Sequence, residues 1–152
     1  MTKIVLLTVG KTTQKYVEEA VMEYSNRLKF YIPFEIITIP ELKDIKNVPV
    51  AVQKQKEGDL ILKKLQNTDD VILLDDKGKE FSSIEYANFI EKKLMNNKRI
   101  VFIIGGPFGF SPEVYNRADS KISFSRMTFS HQIIRAIFAE QLYRAFTIIK
   151  GV

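Results

Sequence analysis

The stretch Arg99–Arg135, RIVFIIGGPFGFSPEVYNRADSKISFSRMTFSHQIIR, decides the fold. It opens on Ile100-Val101-Phe102-Ile103-Ile104, an unbroken apolar run. A strand that is apolar at every position is buried on both faces, the pattern of a parallel sheet covered by helices. The run leads straight into Gly105-Gly106-Pro107-Phe108-Gly109-Phe110. Glycines let main chain approach a ligand where a Cβ would collide, and the carboxyl ends of parallel strands are where open α/β sheets bind ligands. Further on, residues 123–129 form a second short stretch, followed by Ser130-His131 at the start of a long helix. Two loops flanking one short crossover are expected to wall a single pocket. An ordinary turn between strand and helix is the other reading of the glycines.

Outside this stretch, strands alternate with helices. Lys3–Val9 is a strand ended by Gly10, with Thr12 or Thr13 available to cap the next helix. On that helix Tyr16, Val17, Ala20, Val21, Tyr24 and Leu28 form an apolar stripe. Phe34–Ile39 is a second strand between Pro33 and Pro40, and residues 41–49 are a loop. Residues 50–66 are helical with a lysine-rich surface that a solvated face explains, and Gly58 should weaken the middle by about 1 kcal/mol relative to Ala. Residues 71–74 are a third strand, followed by a loop over 75–79. Ser82 and Glu85 make a capping box for a helix over 83–95, whose core side carries Ile84, Ala87, Phe89, Ile90 and Leu94. Ser111-Pro112-Glu113 supplies a cap, a proline at the first helical position and an acid in the first turn. Residues 121–124 are a short fifth strand, and 131–149 a last helix with a wide apolar arc. Such an arc needs partners on more than one side, the sheet and a second subunit. The expected fold class is therefore α/β, one domain over 1–152, with a mainly parallel sheet.

Composition narrows the function. There is no Cys and one His, which excludes thiolate and multi-His metal sites, and no Asp/Glu cluster has the spacing of a metal loop. The first residues read as a strand rather than a secretory segment, and no apolar run approaches a membrane span, so the default is cytoplasmic. Net charge is +5 with a pI near 9.3, which favours a polyanion partner such as RNA, although a basic soluble protein explains it equally. Residues 1–66 hold 11 Lys/Arg and 8 Asp/Glu, and residues 67–152 hold 12 and 10, so any nucleic-acid face has to come from folding.

The glycine loop is neither a P-loop nor a dinucleotide fingerprint: no Gly-Lys-Ser/Thr follows it, and Pro112 rather than Gly109 opens the next helix. A loop without a phosphate-binding lysine suits an uncharged or cationic ligand. His131 and Arg135 lie four apart and share a helix face. They read as a polar pair at the pocket mouth, with a loop-bound first-turn histidine as the alternative. Glu140 and Arg144 read as an ordinary helical ion pair.

Several motifs then point the same way: Thr8-Val9-Gly10, Glu23-Tyr24, Leu74-Asp75-x-x-Gly78, Ile104-Gly105-Gly106-Pro107-x-Gly109, the run Ser125–His131, Arg135, Glu140-Gln141 and Tyr143-Arg144-Ala145. Over almost its whole length the chain resembles the bacterial pseudouridine N3-methyltransferases of large-subunit ribosomal RNA, small members of the SPOUT class. The resemblance implies a C-terminal trefoil knot, helices on both faces of the sheet, and a homodimer in which one protomer completes the other's site. It implies S-adenosylmethionine bound bent in the knot by Leu74, Gly105, Phe124, Ser125, Arg126, Met127, Thr128 and Phe129. It implies methylation of N3 of a pseudouridine in the helix-69 hairpin of 23S ribosomal RNA, on assembled ribosomes and without membrane or metal. His131 and Arg135 are then the candidates for orienting the base and stabilising its anion. The family pattern has a short tail with Tyr, His and a basic residue beyond the position of Gly151, which this sequence does not carry; cofactor binding is expected to survive its loss and RNA methylation to depend on it. A catalytically silent RNA-binding or assembly protein, and a nucleotide-binding metabolic enzyme, are the competing classes.

Overall fold

The computed structural model describes residues 2–152. Ten elements follow one another: β1 Lys3–Val9, α1 Lys15–Leu28, β2 Phe34–Ile39, α2 Val50–Lys63, β3 Asp70–Glu80, α3 Ser83–Leu94, β4 Arg99–Ile104, α4 Pro112–Arg117, β5 Ser120–Ser123 and α5 Ile133–Lys150. The strands form one sheet in the order β2-β1-β4-β3-β5, and every pairing is parallel. The apolar run of β4 lies at the centre, with Ile100, Val101, Phe102 and Ile103 fully buried.

Alternation along the strands divides the core. Ile4, Leu6, Ile72, Ile100, Phe102 and Ile122 face α1, α3 and α5, where Phe102 packs on Phe138 with ring centroids 4.9 Å apart. Val5, Leu7, Val71, Leu73, Val101 and Ile103 face the other way, onto Ile61 of α2 and Val114 of α4. Burying each such side chain is worth about 1.5–3 kcal/mol against leaving it in water. None of the helices is long and apolar enough to cross a membrane among the described residues.

Local chemistry sets most element ends. Ser82 Oγ accepts from the Glu85 N–H at 3.1 Å and the Glu85 carboxylate accepts from the Ser82 N–H at 2.8 Å, so the capping box forms at α3. Ser111 caps α4 by accepting from Val114 N–H at 3.3 Å.

Four expectations need correction. Residues 75–79 are not a chain-reversing loop: β3 continues to Glu80, shifting register between Leu74 and Lys79 and then pairing again with Ile122 and Ser123. The Asp75 carboxylate accepts from Lys77 N–H at 2.9 Å, so turn-type residues serve a bulge rather than an end. Neither threonine caps α1; Gln14 stands there without a side-chain bond. The last helix begins at Ile133, because Ser130 Oγ accepts from the Ile133 N–H at 3.1 Å and holds 130–132 outside it. Tyr16 and Ile84 are exposed, while Tyr86, on no expected core stripe, is buried between Phe81, Phe89 and Phe124.

Gly58 has a packing reason that outweighs its helix propensity. A Cβ there would stand 2.4 Å from Ser111 Oγ and 3.3 Å from Val114, so its absence lets α2 close onto the start of α4. Ser111 is buried and holds a cap, so it has nowhere cheap to go. Gly58→Ala should therefore destabilise by about 1–3 kcal/mol despite the roughly 1 kcal/mol that helix propensity favours Ala. Urea unfolding reads the sign, and a stabilised variant would refute the packing account.

Candidate functional site

Neighbouring strands β3 and β4 send their chains to opposite faces of the sheet: β3 leads to α3 on one side, β4 to α4 on the other. A crevice therefore opens at their carboxyl ends, the usual place for a ligand in an open α/β sheet. Here it is a cleft of about 620 Å³, within the size range of small-molecule sites. Leu74 and Asp75 line it from β3, residues 104–110 from the end of β4 and the glycine loop, and residues 122–125 and 127–131 from the second loop.

The second loop is held by its serines rather than by a ladder. Ser123 Oγ donates to the Ser125 carbonyl at 2.7 Å, and Ser125 Oγ accepts from Met127 N–H at 2.9 Å. Such bonds let short polar side chains stand in for missing backbone partners. The floor is apolar, from Ile104, Ile122, Phe124 and Ile134. Met127, Phe108 and Phe129 are exposed at the rim.

One carboxylate is fixed at the mouth. The Tyr115 hydroxyl donates to the Asp75 carboxylate, and the Lys121 ammonium lies 5.5 Å from the Tyr115 ring centroid. Partial burial pushes the Asp75 carboxyl up, but bonds from Tyr115, the Lys77 N–H and Asp76, with the charge of Lys121, outweigh it and hold the group below its ordinary value. Burial, the bond to Asp75 and the nearby negative charge push the Tyr115 phenol up to about 12. The site thus carries a permanent negative charge beside its bare main chain, which suits a cationic ligand.

Of the residues expected to hold the cofactor, Leu74, Gly105, Phe124, Ser125, Met127, Thr128 and Phe129 line this one cleft. Arg126 does not: its side chain is 88% exposed and points to Glu80, 3.5 Å away. His131 lies at the cleft, half-buried. Arg135 is separated from it, and the expectation of a surface pair is corrected. The Arg135 side chain is buried, with Nε donating to the His131 carbonyl at 2.9 Å, Nη1 to the Gly10 carbonyl at 2.9 Å and Thr12 Oγ1 at 3.1 Å, and Nη2 to the Val9 carbonyl at 2.8 Å. It clamps the start of α5 onto the end of β1 with four of its five N–H donors. Burial lowers its proton affinity, partly offset by the charge of Glu41.

Two side chains escaped the sequence reading. Tyr115 looked like one more residue of a short helix. Glu57 sits among surface lysines, yet its Oε1 accepts from Gly106 N–H at 3.1 Å. Its signal was the neighbouring Gly58, a helix-interior glycine that only a close approach explains. No group of three or more His, Cys, Asp or Glu among the described residues could hold a metal ion.

This combination of parallel sheet, glycine loop and serine-held second loop fits an α/β methyltransferase. The family model described as Predicted SPOUT methyltransferase matches residues 2–152, and the chain belongs to that family. It is 56% identical over 150 residues to the protein named Ribosomal RNA large subunit methyltransferase H of Parabacteroides distasonis, covering 98% of this chain and 96% of that one. A protein of the same name from Phocaeicola vulgatus is 56% identical with the same coverage, and one from Christiangramia forsetii is 55% identical over 149 residues, covering 97% and 95%. The chain thus stands with these relatives in the SPOUT methyltransferase family.

Arg135→Met should lose about 3 kcal/mol or more in urea unfolding, since it leaves buried carbonyls without donors at about 1–3 kcal/mol each. His131→Ala, whose side chain makes no such clamp, should change stability by under about 0.5 kcal/mol. Equal stability of the two variants would remove the clamp.

Proposed function

We propose that the chain transfers the methyl group of S-adenosylmethionine to N3 of a pseudouridine in large-subunit ribosomal RNA, in the cytoplasm and as a homodimer. The observation that carries this reading is the cleft itself: residues implied by the family motifs converge on one hollow lined by glycine main chain, with the ionised Asp75 at its mouth. These residues fit the cofactor. Main-chain groups of the two loops can meet adenine edges, Leu74, Phe124 and Ile134 can pack on its faces, and Asp75 can face the positive end. When bound, the cofactor supplies a methyl group on a positively charged sulfur, which needs no metal to leave.

What remains for the chain is positioning, which in well-oriented reactions is worth about 7–11 kcal/mol. His131 stands where a nucleobase would meet the cleft and can orient it by hydrogen bonding. Arg135 acts through it, holding the His131 carbonyl in place, as a positioning residue. The exposed Phe108, Met127 and Phe129 at the rim, and Ile148 on α5, support closure by a second copy. The passage of the chain from β5 past the cleft and back over α1 and α3 as α5 supports the knotted C-terminal part that the family implies.

Calorimetry should register binding of S-adenosylmethionine and not of ATP or NAD, and His131→Ala should slow single-turnover methyl transfer to ribosomes by about 10-fold or more. Mass mapping of ribosomal RNA from cells lacking the protein should find one pseudouridine without its methyl group. Binding of ATP or NAD alone would sink the reading. Cofactor binding together with a ribosomal RNA map that loss of the protein leaves unchanged would favour a silent RNA-binding protein of the same fold.

A further inference from the structure

A second hollow of about 250 Å³ lies behind the glycine loop, between α2 and the segment after β2. It shares Lys54, residues 106–109 and His131 with the main cleft, so the two meet across the loop. We propose that this hollow is the subsite for the target nucleobase, and that Glu57 takes the proton from its imide nitrogen. The proposal rests on the methyl-transfer reading above and names the group that reading leaves open.

Size and lining suit one pyrimidine ring. The volume falls below the roughly 300 Å³ at which sites for whole drug-sized ligands begin. Val9, Leu42, Ile45 and Phe108 offer apolar surface to ring faces. A pseudouracil ring presents two N–H donors and two carbonyl acceptors. The carboxylates of Glu41 and Glu57 can accept from the former, and the Lys54 ammonium can donate to a carbonyl.

Glu57 is built into the boundary. One oxygen, Oε1, accepts from the Gly106 N–H at 3.1 Å. The other, Oε2, lies 2.7 Å from the point where a Cβ on residue 106 would stand. The missing side chain of Gly106 is therefore the space this carboxylate uses, at the junction of the two hollows. The charged and titratable groups facing it are Lys54 on its own helix, Glu41 from the segment after β2, and His131 from the segment before α5. Burial raises its proton affinity, the Gly106 bond opposes this, Glu41 adds to it and His131 subtracts, with a net rise. A carboxylate displaced in that direction is a better proton acceptor than an exposed one.

The step balances without another reactant. The N3–H bond breaks and its proton passes to a Glu57 oxygen. The nitrogen electron pair forms the new bond to the methyl carbon as the methyl–sulfur bond breaks, and that bond's pair stays on sulfur, which becomes neutral. Glu57 then returns the proton to water.

The test uses the full chain, ribosomes lacking the modification, and labelled S-adenosylmethionine, with cofactor affinity measured in parallel. Glu57→Gln keeps a carbonyl oxygen for Gly106 but cannot take a proton. It should bind the cofactor within about threefold of the unsubstituted protein and transfer methyl at least about 100-fold more slowly. Only ionised Glu57 accepts, so the unsubstituted protein should lose rate as pH falls through the raised Glu57 value, and the variant should lack that acid limb. Ile45→Trp, which fills the hollow from its outer wall, should leave cofactor affinity intact and abolish transfer. The proposal is overturned if Glu57→Gln transfers at the normal rate with the normal pH profile, if its cofactor affinity falls in step with its rate, or if Ile45→Trp transfers normally. An unsubstituted protein that binds no cofactor would instead overturn the methyl-transfer reading, and this proposal with it.

Discussion

Two adjacent parallel strands that leave the sheet in opposite directions cannot close the gap between their ends, and the site depends on that gap. Chain leaving β3 enters α3 over one core, and chain leaving β4 enters α4 over the other. The apolar residues of both strands are buried on both faces, so neither exit can move without uncovering core. What lies between can then be lined by loops chosen for chemistry rather than stability. The glycine loop and residues 122–131 are those loops. The extra length of β3 serves the same end, because its second pairing with Ile122 and Ser123 fixes where the second loop departs.

The second loop still has to be anchored at its far end, and Arg135 does this in a way lysine could not. Its planar fork reaches the carbonyls of Val9, Gly10 and His131 together, three acceptors in different directions. Carbonyls at the end of a parallel strand need donors once buried, and a guanidinium supplies several from one side chain. Gln132 adds a second tie, accepting from Thr13 N–H at 2.8 Å and donating to the Lys11 carbonyl at 3.1 Å. The same contacts leave the turn after β1 bound to α5, with the Thr12 hydroxyl accepting from Arg135.

Much of this was legible in the sequence, and the remainder was not for identifiable reasons. The unbroken apolar run of β4, the alternation of strands with helices, and the Ser82–Glu85 box are local signals, and local physics honours them. The glycine loop could be read as a site because its position after a buried strand is itself structural information. The bulge in β3 was hidden because Asp-Asp-Lys-Gly chemistry is the same for a turn and for a register shift; only the partner strand β5 distinguishes them. Arg135 was read as a surface cation because its spacing from His131 is that of a helix face, and its acceptors, the Val9 and Gly10 carbonyls, lie more than a hundred residues away in the chain. Glu57 was hidden by its surroundings of lysine and glutamine, a composition that says solvent while the glycine beside it says contact.

Two carboxylates flank the glycine loop, and their surroundings push them apart. Asp75 receives donors from Tyr115 and the Lys77 main chain, with Lys121 near, and is held below the ordinary value. Glu57 has one main-chain donor against burial and a neighbouring Glu41, and is raised. An acid that stays ionised offers a constant field, and one whose proton affinity is raised takes up a proton more readily; sites that divide labour between two carboxyls do it by such differences in environment. On the proposed methyl transfer, Asp75 would hold the positive end of the cofactor in place before reaction, and Glu57 would take the nitrogen's proton. The loop between them opens on Gly105 and Gly106, two residues without side chains. Bare main chain at residue 106 therefore does more than admit a ligand: it leaves the space that the Glu57 carboxylate uses, with Oε2 2.7 Å from where a Cβ would stand.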